Sequence, residues 1–232
     1  MTSMKQRGKV AGLSFLAAFS LMALITGSAQ ANWLVEGIEL KSNEAVSITA
    51  FTPFILTVAK KNIEIQCTTV KGSSFKLLAS SATAEGGFEL SNCSTFSPIG
   101  SGTVQTKCKP EEPIKGGGKT LIVLHNGKNY FLDHPFPNLY FLWVKAPETC
   151  ALFESTEIKG SLVLECGHLS PPGTWHFLDC ANNERPHLVR PASEALFPSD
   201  SLLFGSAVAK VSGILALDLS GANAGKAWAG HV

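Results

Sequence analysis

The chain has 232 residues, with 19 lysines and arginines against 18 acids and a formal net charge of +1. A chain so close to neutral offers no extended positive field to a phosphate backbone, so we expect no nucleic-acid partner. Hydrophobic residues make up 45% of the sequence, and six cysteines are present. This composition is enough for one domain with a full core.

The first 31 residues have the order of a secretory signal peptide. Lys5, Arg7 and Lys9 form a basic start without acids, and residues 10–27 are uncharged and mostly apolar. The small residues of Ala29-Gln30-Ala31 then match a signal peptidase site, which predicts cleavage before Asn32. The alternative is a retained membrane anchor, because the apolar run has nearly the length of a spanning helix. Cleavage is favoured because no positive flank follows to stop transfer.

Cleavage would leave residues 32–232 as a single exported domain. Its 16 basic residues against 18 acids give a net charge of −2. We therefore expect a protein that is secreted or held in the cell envelope, with no membrane span after the signal peptide is removed.

All six cysteines lie in the predicted mature chain, at Cys67, Cys93, Cys108, Cys150, Cys166 and Cys180. No C-x-x-C pair is present, whereas zinc sites usually take two ligands from one tight turn. An even number of cysteines in an exported chain favours disulfides. Fifteen pairings of six cysteines are possible, and the sequence does not choose among them. Our hypothesis is sequential pairing, because the loops it closes are short and cost little entropy.

The phase of the apolar residues adds a prediction about cysteine orientation. Cys67, Cys166 and Cys180 share parity with the apolar residues before them, so their side chains should point into the core. Cys93 breaks this alternation, which predicts that it lies past the end of a strand.

Short apolar or alternating runs, separated by Gly, Pro, Asn and Ser, recur along the mature chain. This rhythm predicts an all-β fold, an antiparallel sandwich or barrel-like domain stapled by disulfides and preceded by the signal-peptide helix. Asn126-Gly127 predicts a tight hairpin. Segments 107–119, with three consecutive glycines, and 185–200, with three prolines, are predicted loops. The tail 221–232 is predicted to be loose except where Trp228 docks.

No motif indicates a catalytic, cofactor or metal site, so none is predicted. The nearest phosphate-loop pattern, Gly118-Lys119-Thr120, needs a glycine at the place of Pro113. A Ser-His-Asp triad stays open, because its members are adjacent in space and not in sequence.

Aromatic residues are concentrated in residues 130–143, where six of fourteen positions are aromatic. The candidate binding patch consists of Tyr130, Phe136, Tyr140 and Trp143. Such side chains could stack on sugar rings or anchor a protein partner. The alternative, which is the more common arrangement, is a pair of core strands.

Several short segments carry a resemblance: 32–37 directly after the signal peptide, Ile65-Gln66-Cys67, residues 88–93 and the closing segment 221–228. With them the chain resembles a group of uncharacterised secreted bacterial proteins, best populated in actinobacteria. The resemblance implies export and a β fold, and it brings no activity or site residues. We therefore expect a non-catalytic secreted or cell-envelope domain that binds a protein or carbohydrate or has a structural role. The alternative is a secreted hydrolase with a dispersed catalytic site.

Overall fold

The computed structural model of the protein describes residues 31–136, 141–193, 196–197 and 202–232. Most of the predicted signal peptide, residues 1–30, lies outside them. The described residues form antiparallel strands and two short 3-10 turns, at Ala59–Lys61 and Thr106–Cys108, and they contain no α-helix. The all-β antiparallel prediction is confirmed.

The strands of the described chain are β1 (Asn32–Val35), β2 (Ile38–Glu39), β3 (Glu44–Ala50), β4 (Phe54–Val58), β5 (Ile63–Leu77), β6 (Thr83–Phe96), β7 (Ile114–His125), β8 (Lys128–His134), β9 (Leu142–Val144), β10 (Thr156–Gly160), β11 (Leu162–Ser170), β12 (Thr174–Leu178), β13 (His187–Pro191), β14 (Leu202–Phe204), β15 (Ala207–Ser212), β16 (Leu215–Leu219) and β17 (Trp228–His231). Strand β4 shows how the pattern works, because Phe54, Leu56 and Val58 alternate with outward residues and are all buried.

Hydrogen-bonded pairing closes the large sheet into two circuits of strands. The first circuit runs β3, β5, β6, β7, β8, β11, β13 and β16, and returns to β3. The second runs β4, β5, β6, β7, β9, β10, β14 and β15, and returns to β4. Both circuits use the three long strands β5, β6 and β7. Closing a sheet on itself removes its exposed edges.

The shared strands change which face is buried along their length. In β5, Ile65 and Cys67 are buried at odd positions, and burial then moves to the even position of Val70. In β6, burial moves from Leu90 to Cys93 across Asn92, whose φ is 53°. The prediction that Cys93 lies past a strand end is therefore wrong. The strand continues through Cys93, and its local change of phase produces the broken alternation.

Three disulfides join the cysteines in sequential order: Cys67–Cys93, Cys108–Cys150 and Cys166–Cys180. Their Cα atoms are 4.0, 4.4 and 5.2 Å apart, within the reach of a disulfide. Cys67, Cys166 and Cys180 are at most 1% exposed, which confirms their predicted inward orientation. No cysteine is free in the described chain, so the hypothesis of sequential pairing is confirmed.

Trp228 docks as predicted, but more of the C-terminal tail is paired than the prediction of a loose segment allowed. Strand β17 pairs with β1 along its whole length, in a small sheet with β2. The buried carboxylate of Glu44 accepts hydrogen bonds from the backbone and side-chain nitrogens of Asn223, at 2.8 and 3.0 Å. This carboxylate therefore fixes the turn that leads into β17.

Both predicted loops are shorter than expected. Strand β7 begins at Ile114, inside segment 107–119, and β13 occupies most of the first half of segment 185–200; positions 194–195 and 198–200 lie outside the described residues. Gly116, Gly117 and Gly118 belong to β7 because the chain passes too close for side chains. A Cβ atom at Gly118 would collide with the carbonyl oxygen of His134, and one at Gly116 would lie 2.5 Å from that of Phe141. Consecutive glycines here indicate close packing of strands.

The predicted hairpin at Asn126-Gly127 is confirmed. It joins β7 to β8, with His125 opposite Lys128 and both turn residues at positive φ.

Candidate functional site

An open groove crosses the outer face of the three shared strands. Its volume is about 440 Å³, which is within the usual range of small-ligand pockets. We call it the glycine groove, lined by Ser74, Lys76, Glu85, Gly86, Gly87, Lys115, Gly116, Gly117 and Phe136.

Backbone register explains why this face is concave. Gly87 of β6 lies directly opposite Ser73 of β5 on one side and Gly117 of β7 on the other. Two adjacent positions without side chains leave the floor of the groove at the level of the backbone. The register of β5 also shifts between Ser73 and Lys76, and Ser74 has a φ of 54°, which curves the edge of the groove.

Charged side chains line the rim in pairs of opposite sign. The Nζ atom of Lys76 lies 3.3 Å from a carboxylate oxygen of Glu85, and that of Lys115 lies 3.6 Å from one of Glu89. These groups remain partly exposed, so each ion pair contributes little to stability. Their donors and acceptors can therefore be shared with a ligand at small cost to the fold.

The predicted aromatic patch divides between two places. Phe136 lines the glycine groove. Trp143 lies opposite Lys115 in the β7–β9 register, so its half-buried indole is on the same outer face of the sheet as Lys115. Tyr140 lies outside the described residues. Of the described members of the patch, Phe136 lines the groove and Trp143 lies beside it, opposite Lys115.

Tyr130 belongs elsewhere, because it is only 4% exposed and packs against Phe177 and Phe197. Burial raises the pKa of its hydroxyl above the usual value, and the nearby charges of Glu165 and Asp179 raise that pKa further. This arrangement is the core-strand alternative considered for the aromatic segment. It accounts for Tyr130 without a ligand.

Sequence reasoning missed the polar members of the groove, Ser74, Lys76, Glu85 and Lys115. A signal was present, since Gly86-Gly87 and the glycines at 116–118 lie within alternating segments. If the two glycine runs had been placed opposite each other on neighbouring strands, the concave face would have been located. That placement requires the β6–β7 register, which the sequence does not give.

The interior of the first circuit holds a second, smaller space of about 70 Å³. Its lining is mostly apolar and includes Trp33, Phe88, Phe141 and Trp228. Gly86 lines both this cavity and the groove, so at that point the backbone of a residue with no side chain separates the cavity from the groove. An apolar cavity of this size has room for only a few heavy atoms. The open groove is therefore the better candidate for a ligand of ordinary size.

Catalytic geometry is incomplete in the part of the chain that the structure describes. The hydroxyl of Ser170 and the Nε2 atom of His176 are 2.7 Å apart, but no carboxylate there is hydrogen-bonded to His176. The pair lies on an exposed hairpin outside both the groove and the cavity. Within the same residues, no three His, Cys, Asp or Glu side chains are grouped to hold a metal ion.

No protein-family model, curated protein or solved structure matches this chain. The candidate site therefore rests on its own geometry.

Proposed function

We propose that the chain is an exported, non-catalytic binding domain whose glycine groove takes a carbohydrate. The observation that carries the proposal is the concave outer face, which combines a glycine floor, the ring of Phe136 and paired charges. Sugar rings offer an apolar face for stacking on an aromatic ring and hydroxyl groups for polar side chains. The groove supplies both kinds of contact within one small surface.

Carbohydrate is favoured over a protein partner because the groove is small and its charged side chains are paired. Lys76 pairs with Glu85 in the groove, and Lys115 pairs with Glu89 beside it, so these four charges give no strong preference for acidic or basic partners. A protein interface of ordinary size would need a much wider complementary surface.

Export is part of this proposal. The order of basic, apolar and small residues in 1–31 supports a signal peptide that is cleaved before Asn32. Three disulfides also fit an oxidising compartment. The described chain contains no helix long and apolar enough to cross a membrane. Mass analysis of the exported protein should give Asn32 as its first residue, and retention of residues 1–31 would reject the export proposal.

The barrel-like architecture belongs to the same proposal. Two closed strand circuits that share β5, β6 and β7 fit a double barrel better than a two-layer sandwich. The shared strands would then form a rigid platform for the groove.

Binding to a glycan array and to insoluble peptidoglycan, cellulose and chitin tests the groove. The variants Phe136→Ala and Trp143→Ala should each weaken binding about tenfold or more, as loss of a stacked aromatic anchor does. Phe51→Ala is the matched control, because Phe51 is 57% exposed and lies outside the groove, and it should bind normally.

Two results would overturn the carbohydrate proposal. One is equal binding by Phe136→Ala, Trp143→Ala and Phe51→Ala. The other is absence of binding to every glycan while the exported protein captures a protein partner through the same residues.

A further inference from the structure

The hairpin formed by β11 and β12 projects beyond the first circuit. Pairing of β11 with β13 ends at Gly167, and the residues that follow in β11 pair with β12 alone. Two histidines lie on this projecting part, and neither belongs to the glycine groove.

His168 and His176 are directly opposite each other in the antiparallel register, so their side chains emerge on the same face. Their rings are stacked, with centroids 5.1 Å apart and planes at 15°. Both residues are exposed. The hydroxyl of Ser170 lies 2.7 Å from Nε2 of His176, so this nitrogen can bind an ion only after that contact breaks.

The base of the hairpin is held rigidly under these histidines. The Cys166–Cys180 disulfide links β11 to the chain just after β12. Trp175 packs tightly over Gly167, where a Cβ atom would lie 2.5 Å from the indole. Arg190 stacks on the other part of the same indole, 4.6 Å from the ring centroid. The two imidazoles are thus presented together before any ligand arrives.

From this geometry we propose that His168 and His176 bind a transition-metal ion of the Cu²⁺, Ni²⁺ and Zn²⁺ class, with water or a ligand group completing the coordination. Imidazole nitrogen is a preferred donor for these ions, and Cu²⁺ binds most tightly among them. Two nitrogens on one ion are at most about 4 Å apart, because each metal–nitrogen bond is about 2 Å. The lone pairs of imidazole lie in the ring plane, so the two stacked rings must turn out of their parallel arrangement to direct one nitrogen each at the ion. The ring torsion of an exposed histidine is soft enough to allow this.

Titration of the purified, untagged exported protein with Cu²⁺ tests this site by calorimetry and electron paramagnetic resonance. We expect about one tightly bound ion per chain, with hyperfine structure from two imidazole nitrogens. His168→Ala and His176→Ala should each weaken binding about tenfold or more, because even outer partners of a metal ligand change affinity by that factor.

His231→Ala is the matched control, because His231 is also an exposed strand histidine, on β17. It should leave the affinity and the spectrum unchanged. Thermal unfolding of each variant checks that the protein still folds. Titration with Zn²⁺ is a second probe, and we expect the variants to rank in the same order of affinity as for Cu²⁺.

Unchanged Cu²⁺ affinity in both His168→Ala and His176→Ala would overturn the proposal, as would a spectrum with one imidazole nitrogen in the native protein. Glycan binding is independent of this result, because the groove lies on other strands.

Discussion

The two strand circuits share three strands but fill their interiors differently. The first is packed with large rings, among them Trp33, Phe131, His187 and Trp228, and it retains a cavity of about 70 Å³. The second is filled by side chains such as Leu56, Ile65 and Ile158, each at most 2% exposed. The rings of the first circuit meet in stacked and edge-to-face pairs, whereas in the second the ring pair of Phe153 and Phe204 packs among aliphatic side chains.

The circuits also differ in how they are cross-linked. The Cys67–Cys93 disulfide joins the part of β5 and β6 that pairs with β4, and Cys108–Cys150 ties two connections beside β9. Because β5 and β6 are shared, Cys67–Cys93 cross-links both circuits, and Cys166–Cys180 adds a link from β11 to the chain just after β12. We conclude that the large buried rings are concentrated in the first circuit, and that Cys108–Cys150 is the disulfide beside the second.

The largest expected effect comes from Trp228→Ala in the first circuit. Trp228 is 1% exposed, lies parallel to Phe131 and contacts Trp33 and His187. Loss of the indole should lower the free energy of unfolding by about 4 to 5 kcal/mol, because the existing cavity becomes much larger. Denaturant unfolding measures it, with exposed His231→Ala on the same strand as control. A loss below about 1 kcal/mol would mean that the tail does not dock as described.

Removal of the Cys108–Cys150 disulfide tests the second circuit. The double variant Cys108→Ser with Cys150→Ser opens a loop of 42 residues and should cost about 4 kcal/mol. The matched change at Cys166 and Cys180 opens a loop of 14 residues and should cost about 3 kcal/mol. The comparison of unfolding midpoints in guanidinium checks the order. The reverse order would contradict loop length as the source of the difference.

The next effect is a pH dependence carried by His187. Burial lowers the pKa of this side chain to about 4, although the hydrogen bond that its Nε2 donates to the Trp228 carbonyl favours the charged form. The unfolded chain binds a proton between pH 6.5 and 4, whereas the folded chain does not. Stability is therefore fully present above pH 6.5 and falls by about 3 kcal/mol as the pH is lowered to 4.

Unfolding measured from pH 7.5 to 4 in the native protein and in His187→Gln isolates this contribution. The variant should show a flatter curve over this window, while exposed His231→Gln should follow the native curve. Parallel curves for native protein and His187→Gln would contradict a neutral buried histidine in the first circuit.

The smallest effect is expected at Glu112, where the shared strand β6 changes phase. Partial burial raises the pKa of this carboxyl. The backbone nitrogens of Cys93 and Asn92 donate hydrogen bonds to it, and Lys109 lies nearby. Together these contacts outweigh burial and hold the pKa below its usual value. Glu112→Gln should cost about 1 to 2 kcal/mol near neutral pH. Exposed Glu111→Gln is the control.

The pH dependence of that cost sharpens the test. Because the folded pKa is lowered, the stabilisation by Glu112 is present above pH 4.5 and is lost as the pH falls through the folded value. The difference between native protein and Glu112→Gln should therefore shrink in acid. A constant difference would show that the carboxylate charge does not hold the strand at Asn92.

Local patterns in the sequence were sufficient for several features. Alternation predicted the strands and the inward Cys67, Cys166 and Cys180, and Asn126-Gly127 predicted its hairpin, because side-chain direction and turn geometry depend on neighbouring residues. Short loop lengths favoured sequential pairing of the cysteines, but the structure was needed to choose it among fifteen pairings. The strands, the inward cysteines and the hairpin need no knowledge of distant parts of the chain.

Only the tertiary structure decided the rest. The glycines at 116–118 resemble a loop in sequence, yet they form a strand because His134 and Phe141 pass against them. Tyr130 and Phe136 are near in sequence, but β8 buries one while the other lines the groove. The groove and the histidine pair arise from the register between neighbouring strands, β5 to β7 for the groove and β11 with β12 for the histidines. Register depends on the whole circuit of pairings, so composition and local periodicity contain too little information to specify it.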